Sequence, residues 1–519
     1  MTDYSWTTSR AAGILMHISS LPSRQGIGSF GEGAEKFLDF LTLSGIKYWQ
    51  ICPLTPTGFG DSPYQSFSAF AYNTYFIDFF ELQKFGLIDE GDVGKLSGLP
   101  SKKCDYGAIY QTLPDILRKA ARKFFEGKKP SLYDKSFDGF CEENKDWLDN
   151  YALFCALKKR FGGLPWTKWD AEFKTRKNIT LSDADKDEIS SVKFGQYIFY
   201  CQYMRLKRKA NSRNIEIIGD MPIFVSEDSA DVWANPELFD LKKDLSPRNV
   251  AGVGPDYFSP TGQLWGNPLY DWKSNPKGVY GFWEKRLEKA FGLYDVLRLD
   301  HFRGFADYWA IPANSQDASN GSWKIGPGKQ FFEKMREIFK TEKFIAEDLG
   351  ILSERAVKLC RDINIPTMAV LQFAFGSNAS NPYLPHNLSR NIVCYTGTHD
   401  NPSTNDWYAN ADPKTQDHFR RYFATPAQSP NWNMVLGALT SVSNLAIIPM
   451  QDILSLGAES RMNTPGVASG NWQWRMSFFQ LESAIKNTSA FLKSLCELSG
   501  RENKTEPKSL PPDLLKFIK

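Results

Sequence analysis

Apolar segments of strand length, each ending in a polar cluster, recur along this chain and constrain its fold more than any other feature. They are GILMHI (13–18), YWQICPL (48–54), IEIIGDMP (215–222), DVLRLDH (295–301), KFIAEDLG (343–350) and NIVCYTGTHD (391–400). Between many of them lie segments with apolar residues at helical spacing, such as GAEKFLDFLTLSGI and GKQFFEKMREIFK. Strands that alternate with helices are typical of parallel βα units.

These strands are almost entirely apolar, which predicts a sheet covered by helices on both sides, as in a doubly wound sheet or a barrel. Polar residues at the ends of several separate strands favour the barrel, because there such groups converge on one face. In a doubly wound sheet they would be spread along an open edge. We therefore predict an α/β fold, a (β/α)8 TIM barrel, as a single catalytic unit over residues 1–519.

Residues 84–195 interrupt the alternation of strands and helices. This stretch is rich in Lys, Asp and Glu, contains helical segments such as LPDILRKAARKFFEG, and has no strand that ends in a polar cluster. We predict a helical insertion subdomain here, so that the barrel carries large, mostly helical insertions between its strands. The segment ESAIKNTSAFLKSLCELSG predicts a final helix rather than a separate C-terminal β-domain.

Charge and cysteine content exclude several classes of function. The net charge is +3, which indicates no strong attraction to nucleic acid or anionic membranes, and no apolar run is long enough to span a bilayer. The opening residues MTDYSWTTSR lack the apolar core of a secretory signal, and the eight cysteines form no CxxC pair. No GxGxxG or GxxxxGK[ST] motif follows a strand, so nucleotide phosphates are not the obvious ligand. We expect a cytoplasmic protein with reduced thiols.

The segment YDVLRLDHFRGF holds an arginine and an aspartate two residues apart inside an apolar strand. Because side chains alternate along a strand, Val296, Arg298 and Asp300 share one face, and the two leucines between them share the other. In a barrel strand the leucines would pack against helices, and Asp300 would reach the open face with Arg298 one layer below. A guanidinium there favours an ionised carboxylate, which is the form that a nucleophile toward a sugar carbon needs.

Other strands deliver carboxylates to the same face. They are Glu347 in FIAEDLG, Asp400 in CYTGTHDNPS, where it follows His399, and Asp220 in IEIIGDMP. Like charges crowded in a pocket raise at least one pKa, which turns that group into a general acid at neutral pH. Enzymes that cleave or transfer glycosidic bonds with retention typically use two carboxyl groups, one as nucleophile and one as acid/base.

Two other readings of these residues stay open. An aspartate at a strand end often caps the next helix, and Asp348, before SERAVKLC, fits a residue of the cap region. The histidines allow a zinc site, because His17, His301 and His399 all fall at strand ends. The zinc reading is weaker, since no HxH or HExxH spacing is present.

Longer motifs connect the chain to a known family. They are GILMHISSLPSRQGIGSFG, GDSPYQSFSAFAYN, GDMPIFVSEDSADVWANPELF, GPDYFSPTGQLWGNPLYDW, LRLDHFRGFADYWAIP, AEDLG, VLQFAFG, TGTHDNPS and RMNTPGVASGNWQWR. In these motifs and their order the sequence closely resembles the 4-α-glucanotransferases of glycoside hydrolase family 77, in the α-amylase superfamily. The resemblance runs from residue 13 to 475 and covers nearly the whole chain. Gly254 departs from it, because the family usually has proline there.

The resemblance implies roles for individual residues. Asp300 corresponds to the nucleophile, Glu347 to the acid/base, and Asp400 to a third carboxylate that holds hydroxyls of the reacting glucose. The substrate-binding residues that the resemblance implies are Tyr64, Asp220, Arg298 and His399 around that glucose, His301 and Trp265 on the acceptor side, Asp256, Tyr257, Phe258 and Gln263 in a flexible lid within 250–275, and Asn463 along the substrate.

The implied reaction is retaining transfer of a segment of an α-1,4-glucan to the 4-hydroxyl of glucose or of another α-1,4-glucan, without a metal or organic cofactor. Its partners would be maltooligosaccharides, amylose or glycogen-derived dextrins, with no nucleic acid or membrane, and the protein a monomer or homodimer. A hydrolase with the same carboxylates is the first alternative, and a non-catalytic glucan-binding protein is the second. Aromatic residues at the acceptor side favour transfer, because they exclude water.

Overall fold

The computed structural model describes residues 6–255, 259–339, 343–350 and 352–504. Its strands, in chain order, are β1 (Ala11–Leu15), β2 (Tyr48–Gln50), β3 (Glu216–Pro222), β4 (Asn249–Val253), β5 (Gln263–Pro268), β6 (Val296–Asp300), β7 (Asp307–Pro312), β8 (Ser322–Ile325), β9 (Phe344–Ala346), β10 (Thr367–Val370), β11 (Ile392–Tyr395) and β12 (Leu445–Pro449).

Eight strands of the described residues form a parallel sheet in the order β10-β11-β12-β1-β2-β3-β6-β9. The two end strands of this order meet where the backbone N–H of Ala346 donates to the carbonyl of Pro366, at 2.8 Å, so the sheet is nearly closed. The predicted (β/α)8 barrel is confirmed. All carboxyl ends of its strands open on one face, which is where barrel enzymes carry their active sites.

The alternation of side chains along β6 separates two apolar layers. Val296 packs inside the barrel with Ile218 and Ile345 from the neighbouring strands, whereas Leu297 and Leu299 belong to the outer core beneath the helices. The two faces of this strand are therefore as the sequence predicts. Arg298 and Asp300 lie on the inward face with Val296, and Arg298 is almost fully buried.

The sequence did not reveal the strands β10 and β12, nor a second sheet. Both strands are short apolar runs that lead directly into mostly apolar residues, LQF and Met450, so no polar cluster marks their ends. The second sheet is antiparallel, has the order β5-β4-β7-β8 in the described residues, and lies between β3 and β9 in the chain. It carries Gln263 and Trp265 on β5.

The helices fill the connections between strands. They are α1 (Glu32–Leu43), α2 (Phe79–Lys84), α3 (Glu90–Ser97), α4 (Tyr106–Glu126), α5 (Phe137–Glu143), α6 (Lys145–Arg160), α7 (Ala171–Lys174), α8 (Asp183–Ser212), α9 (Ala230–Ala234), α10 (Pro276–Leu293), α11 (Gly328–Phe339), α12 (Glu354–Ile363), α13 (Thr404–Asn410), α14 (Pro413–Tyr422), α15 (Pro430–Thr440), α16 (Met450–Ile453), α17 (Phe478–Ser483) and α18 (Ser489–Leu498). Among the described helices, none combines the length and the apolar character that a membrane crossing requires.

Residues 84–195 are mainly helical and separate β2 from β3. Several helices here begin with a side chain that accepts a backbone N–H, for example Asp105 in α4 and Ser182 in α8. Such caps satisfy donors that a helix cannot pair internally, so the segment's polar composition is compatible with helix formation. That these residues form a subdomain of their own stays a prediction.

Candidate active site

Arg298 connects two carboxylates at the open face of the barrel. Its Nη1 donates to both carboxylate oxygens of Asp220, at 2.8 and 2.7 Å, and to Asp300 Oδ1 at 2.9 Å. The pairing is set by strand register, because Asp220 on β3 lies directly opposite Arg298 on β6. Nε of Arg298 donates to the sulfur of Met368 on β10 at 3.4 Å, so the guanidinium is held from three strands.

Charges around Arg298 keep it protonated although it is buried. Burial alone would lower its pKa, but Asp220 and Asp300 raise it well above the ordinary value. Asp220 is also buried, and burial raises its pKa while Arg298 opposes that rise. A fixed positive charge against Asp300 stabilises a negative charge on that carboxylate.

Glu347 follows β9 and is held next to Asp300 by backbone donors. Its Oε2 accepts from the N–H of His301 at 2.8 Å, and its Oε1 accepts from the N–H of Leu349 at 2.9 Å. Burial raises the pKa of Glu347 to about 8, with Arg298 acting against the rise and Asp300 adding to it. Glu347 is thus protonated at neutral pH, as a general acid must be.

The turn after β6 places the two carboxylates together. His301 has a left-handed backbone, with φ of 49°, which is uncommon for a residue with a side chain and concentrates at functional sites. This backbone aims the His301 N–H at Glu347. The imidazole meets the ring of Trp265 edge to face, with centroids 4.8 Å apart, and Trp265 Nε1 donates to Gln263 Oε1 at 3.1 Å. Burial lowers the pKa of His301 to about 4, so its ring is neutral.

Asp400 is held by the loop after β11 and by the segment around residue 463. Asn463 Nδ2 donates to Asp400 Oδ1 at 2.6 Å, and His399 Nε2 lies 3.4 Å from the same oxygen. The carbonyl of Asp400 accepts from Arg461 Nη2 at 3.1 Å.

Tyr64 joins the two halves of the site. Its hydroxyl donates to Asp220 Oδ2 at 2.8 Å, and its ring stacks on His399 with centroids 5.0 Å apart. Trp472 packs against both rings, at 5.7 Å from Tyr64 and 5.6 Å from His399. An unbroken path of contacts therefore runs from Glu347 to Asp400 across the mouth of the barrel.

The structure brings together the carboxylates and their neighbours that the sequence singles out. These are Tyr64, Asp220, Gln263, Trp265, Arg298, Asp300, His301, Glu347, His399, Asp400 and Asn463. Three residues of the expected lid, Asp256, Tyr257 and Phe258, lie outside the described residues. The antiparallel strands β4 and β5 flank that segment.

The capping role expected for Asp348 is wrong. Ser353 caps α12 by accepting the N–H of Ala356. Asp348 Oδ1 instead accepts the N–H of Met368 at 2.9 Å and thereby joins the end of β9 to β10. An aspartate that follows a strand can pair with the backbone of the neighbouring strand as readily as with a helix, and the sequence does not distinguish the two.

Each of the three strand-end histidines packs against an aromatic ring. His301 meets Trp265, His399 meets Tyr64, and His17 meets Phe76 with centroids 5.3 Å apart. Burial lowers the pKa of His17 to about 3. Within the described ranges, no three His, Cys, Asp or Glu side chains are grouped so that they could hold a metal ion.

Three contact residues were not singled out from the sequence: Trp472, Arg461 and Met368. Trp472 lies in GNWQWR, an aromatic in a glycine and asparagine loop, which is a weak signal of a ligand contact. It has φ of 62° and is almost fully buried. Nothing in the sequence marks Met368 as an acceptor for Arg298, because a methionine in an apolar strand is ordinary core.

Comparison with known proteins identifies one family over most of the chain. The family model described as 4-alpha-glucanotransferase matches residues 16–481. A 4-alpha-glucanotransferase of Clostridium butyricum is 45% identical over 467 residues, which are 89% of this chain and 95% of that protein. One from Thermus thermophilus is 45% identical over 478 residues, 90% of this chain and 95% of that protein. The structure of amylomaltase from Streptococcus agalactiae in complex with acarbose superimposes with a TM-score of 0.90 at 39% identity, covering 95% of this chain and 100% of that one.

Proposed function

We propose residue roles for the reaction of this chain, which belongs to the 4-alpha-glucanotransferase family of glycoside hydrolase family 77. The enzyme transfers a segment of an α-1,4-glucan to an acceptor with retention of configuration. In our proposal Asp300 is the nucleophile, Glu347 is the acid/base, and Asp400 holds hydroxyls of the glucose unit that reacts. The single observation that carries these roles is the contact of Glu347 with the N–H of His301, the residue next to Asp300.

The reaction has two halves. Asp300 attacks the anomeric carbon while Glu347 protonates the leaving glycosidic oxygen, so the reducing-end fragment departs and a covalent glucosyl-enzyme forms. The 4-hydroxyl of a second sugar then attacks that carbon. Glu347, now ionised, takes the proton of this hydroxyl, and Asp300 is released. Two inversions give net retention, which requires the carboxyl groups of Asp300 and Glu347 to lie about 5–5.5 Å apart.

The neighbouring residues prepare these two carboxylates for different tasks. Arg298 donates a hydrogen bond to Asp300, whereas burial raises the pKa of Glu347 and keeps its proton on. Asp220 balances the charge of Arg298 and accepts the hydroxyl of Tyr64. The ring of Tyr64, stacked on His399, then offers an apolar platform for the face of the reacting sugar.

Trp265 and His301 form the acceptor side in this proposal. Their edge-to-face pair is an aromatic surface on which an incoming sugar can stack, and a bound sugar there excludes water from the intermediate. We extend the proposal to glucose as well as glucan acceptors. A hydrolase would use the same carboxylates with water as acceptor.

Incubation with maltotriose tests the proposal. The wild-type enzyme should release glucose and build longer maltodextrins, while the total number of reducing ends stays nearly constant, since each transfer removes one end and creates one. Asp300→Asn should lose this activity, because an amide cannot act as the nucleophile. Reducing-end assays combined with chromatography give both readings. Net formation of reducing ends, or an active Asp300→Asn enzyme, would contradict the proposal.

A further inference from the structure

Asp452, on α16 just after β12, accepts hydrogen bonds from both ends of the loop that carries His399 and Asp400. Its Oδ2 accepts the hydroxyl of Thr396 at 2.6 Å and the hydroxyl of Thr404 at 2.8 Å. Its Oδ1 accepts the backbone N–H of Thr404 at 2.7 Å. Thr396 directly follows β11, and Thr404 is the first residue of α13. One carboxylate oxygen thus holds the two ends of the loop at hydrogen-bonding distance.

The environment of Asp452 is costly for a carboxylate. The residue is 1% exposed, and burial raises its pKa while the three donors oppose that rise. Among the described residues, no lysine, arginine or histidine forms an ion pair with it; its donors are only hydroxyls and an amide. Asn431, beside it, donates to its backbone carbonyl and not to the carboxylate. A buried carboxyl group without a cation destabilises a fold, and departures of this kind concentrate at functional sites.

Residues 397–403 form the loop between the two threonines. Hydrogen bonds within this loop and to Asn463 require its two ends to stay in place. Asn401 Oδ1 accepts both the N–H and the hydroxyl of Thr398, and the same hydroxyl accepts the N–H of Asp400. Asn463 contacts the loop twice, through its N–H to the carbonyl of His399 and through its amide to Asp400. If the ends separate, these contacts cannot all be kept, and Asp400 shifts.

We infer that Asp452 is a positioning residue for Asp400: by joining Thr396 to Thr404 it fixes the loop so that Asp400 meets the reacting sugar. The inference rests on the role of Asp400 in the proposed function. Asp452 itself is buried beneath the loop and takes no part in bond making. Because the threonine hydroxyls are the links, their removal should weaken catalysis in the same way as a change of Asp452.

Three substitutions test the inference, and each of the two at a threonine has a matched serine variant. Thr404→Val and Thr396→Val remove a hydroxyl and preserve shape, whereas Thr404→Ser and Thr396→Ser keep the hydroxyl. Asp452→Asn keeps the size of the side chain but replaces one carboxylate oxygen by an amide NH2, which cannot accept the hydrogen bonds that the loop donates to that oxygen. Thr42→Val is the control for loss of a buried hydroxyl bond elsewhere, since Thr42 donates to the carbonyl of Leu38 within α1. All variants are assayed well below their melting temperatures.

We expect Asp452→Asn and Thr404→Val to lower kcat about 10- to 100-fold, as small misplacements of a catalytic group do, with a smaller change in KM. Thr404→Ser should recover most of the rate, and Thr42→Val should leave it unchanged. The most decisive measurement is a double-mutant cycle with Asp400→Asn, in which kcat is compared between the single and the double variants. Since Asp452 acts through Asp400, adding Asp452→Asn to Asp400→Asn should reduce kcat by less than about threefold. Should Asp452→Asn not fold, Thr404→Val takes its place in the cycle.

The outcomes separate this inference from the proposed function. An Asp400→Asn enzyme with wild-type activity would remove the proposed role of Asp400 and the inference with it. An impaired Asp400→Asn enzyme together with normal Thr404→Val and Asp452→Asn enzymes would overturn only the inference. So would losses that simply multiply in the double-mutant cycle, because a residue with a purely structural role gives independent effects.

Discussion

At the scale of single residues, the buried pair of Arg298 and Asp220 joins stability to catalysis. Removal of one partner leaves an uncompensated buried charge, which costs about 3–5 kcal/mol. We therefore expect Arg298→Met to destabilise the protein by roughly this amount and to abolish transfer. Adding Asp220→Asn should restore much of the stability but none of the activity, since Asp300 still lacks its cation. Chemical denaturation and the maltotriose assay measure the two effects; restored activity in the double variant would contradict this account.

Glu347 gives the enzyme a defined dependence on pH. Its pKa of about 8 means that the proton needed in the first half-reaction is lost as the pH rises through that value, so kcat should fall on the alkaline side. The stability of the folded protein depends on pH for a different reason. The unfolded chain releases this proton near pH 4.3, whereas the folded chain keeps it, so stability falls as the pH rises from there to about 8.

Glu347→Gln checks both consequences. The amide still accepts and donates hydrogen bonds but supplies no proton, so transfer should nearly vanish while glucan binding remains. Because the amide does not ionise, the melting temperature of the variant minus that of wild type should be larger at pH 8 than at pH 5, whatever its sign. Calorimetry of both proteins at the two pH values measures this difference. Equal differences at the two values would refute the raised pKa.

The sequence predicted residues of this site where a side chain lies in a strand or follows one. Asp220, Asp300 and Glu347 could be found because strand alternation and barrel topology fix where a side chain at the end of a strand points. Asp400 lies in the loop after β11, and the polar cluster that follows this strand marked it. Asp452 lies three residues after β12, a strand that the sequence did not reveal, and its partners lie on a distant loop. Contacts between loops depend on tertiary packing, which no local pattern records.

At the scale of elements, the turn after β6 is where backbone conformation serves chemistry. His301 holds a left-handed conformation that aims its N–H at Glu347. Asparagine adopts this conformation readily, whereas a β-branched residue in it costs about 1–3 kcal/mol. We expect His301→Asn to fold normally and to lose only the share of the rate of glucose release from maltotriose that the imidazole contributes on the acceptor side. His301→Val should lose stability and most of that rate, because the turn that joins Asp300 to Glu347 would relax.

Thermal unfolding and initial rates distinguish the two variants at His301. If both lose activity equally while keeping wild-type stability, the imidazole and not the backbone would be the important feature.

The strands of the barrel differ in how well the sequence predicts them. β3, β6, β9 and β11 were predicted because each ends in charged or polar residues, whereas β10 and β12 lead into apolar residues and were missed. Polar residues at the end of a strand, and not its apolar residues alone, allowed the strand to be predicted from the sequence.

At the scale of the whole molecule, the proposed active site draws residues from both sheets. The barrel supplies Asp300 and Glu347, and the antiparallel sheet supplies Trp265, which meets the barrel at His301. Its residues extend from Tyr64 to Asn463 in the chain, so no isolated segment contains the site. The sequence predicted the barrel but not this second sheet, in which β4 pairs with β5 and β7 pairs with β8 nearby in the chain, while the pairing of β4 with β7 joins distant parts of it.

The junction of the two sheets should decide whether the covalent intermediate meets a sugar or water. Trp265→Ala removes the indole that packs on His301 and opens the acceptor side, whereas Trp265→Phe keeps an aromatic surface. Stacking of an aromatic side chain contributes about 0.5–1.5 kcal/mol beyond its buried area, so the alanine variant should bind acceptors several-fold more weakly. Water would then capture more of the intermediate, and reducing ends would accumulate from maltotriose at several times the wild-type rate relative to glucose release. The phenylalanine variant should lie close to wild type. If Trp265→Ala lowers transfer and hydrolysis by the same factor, the indole supports the fold of the junction and does not select the acceptor.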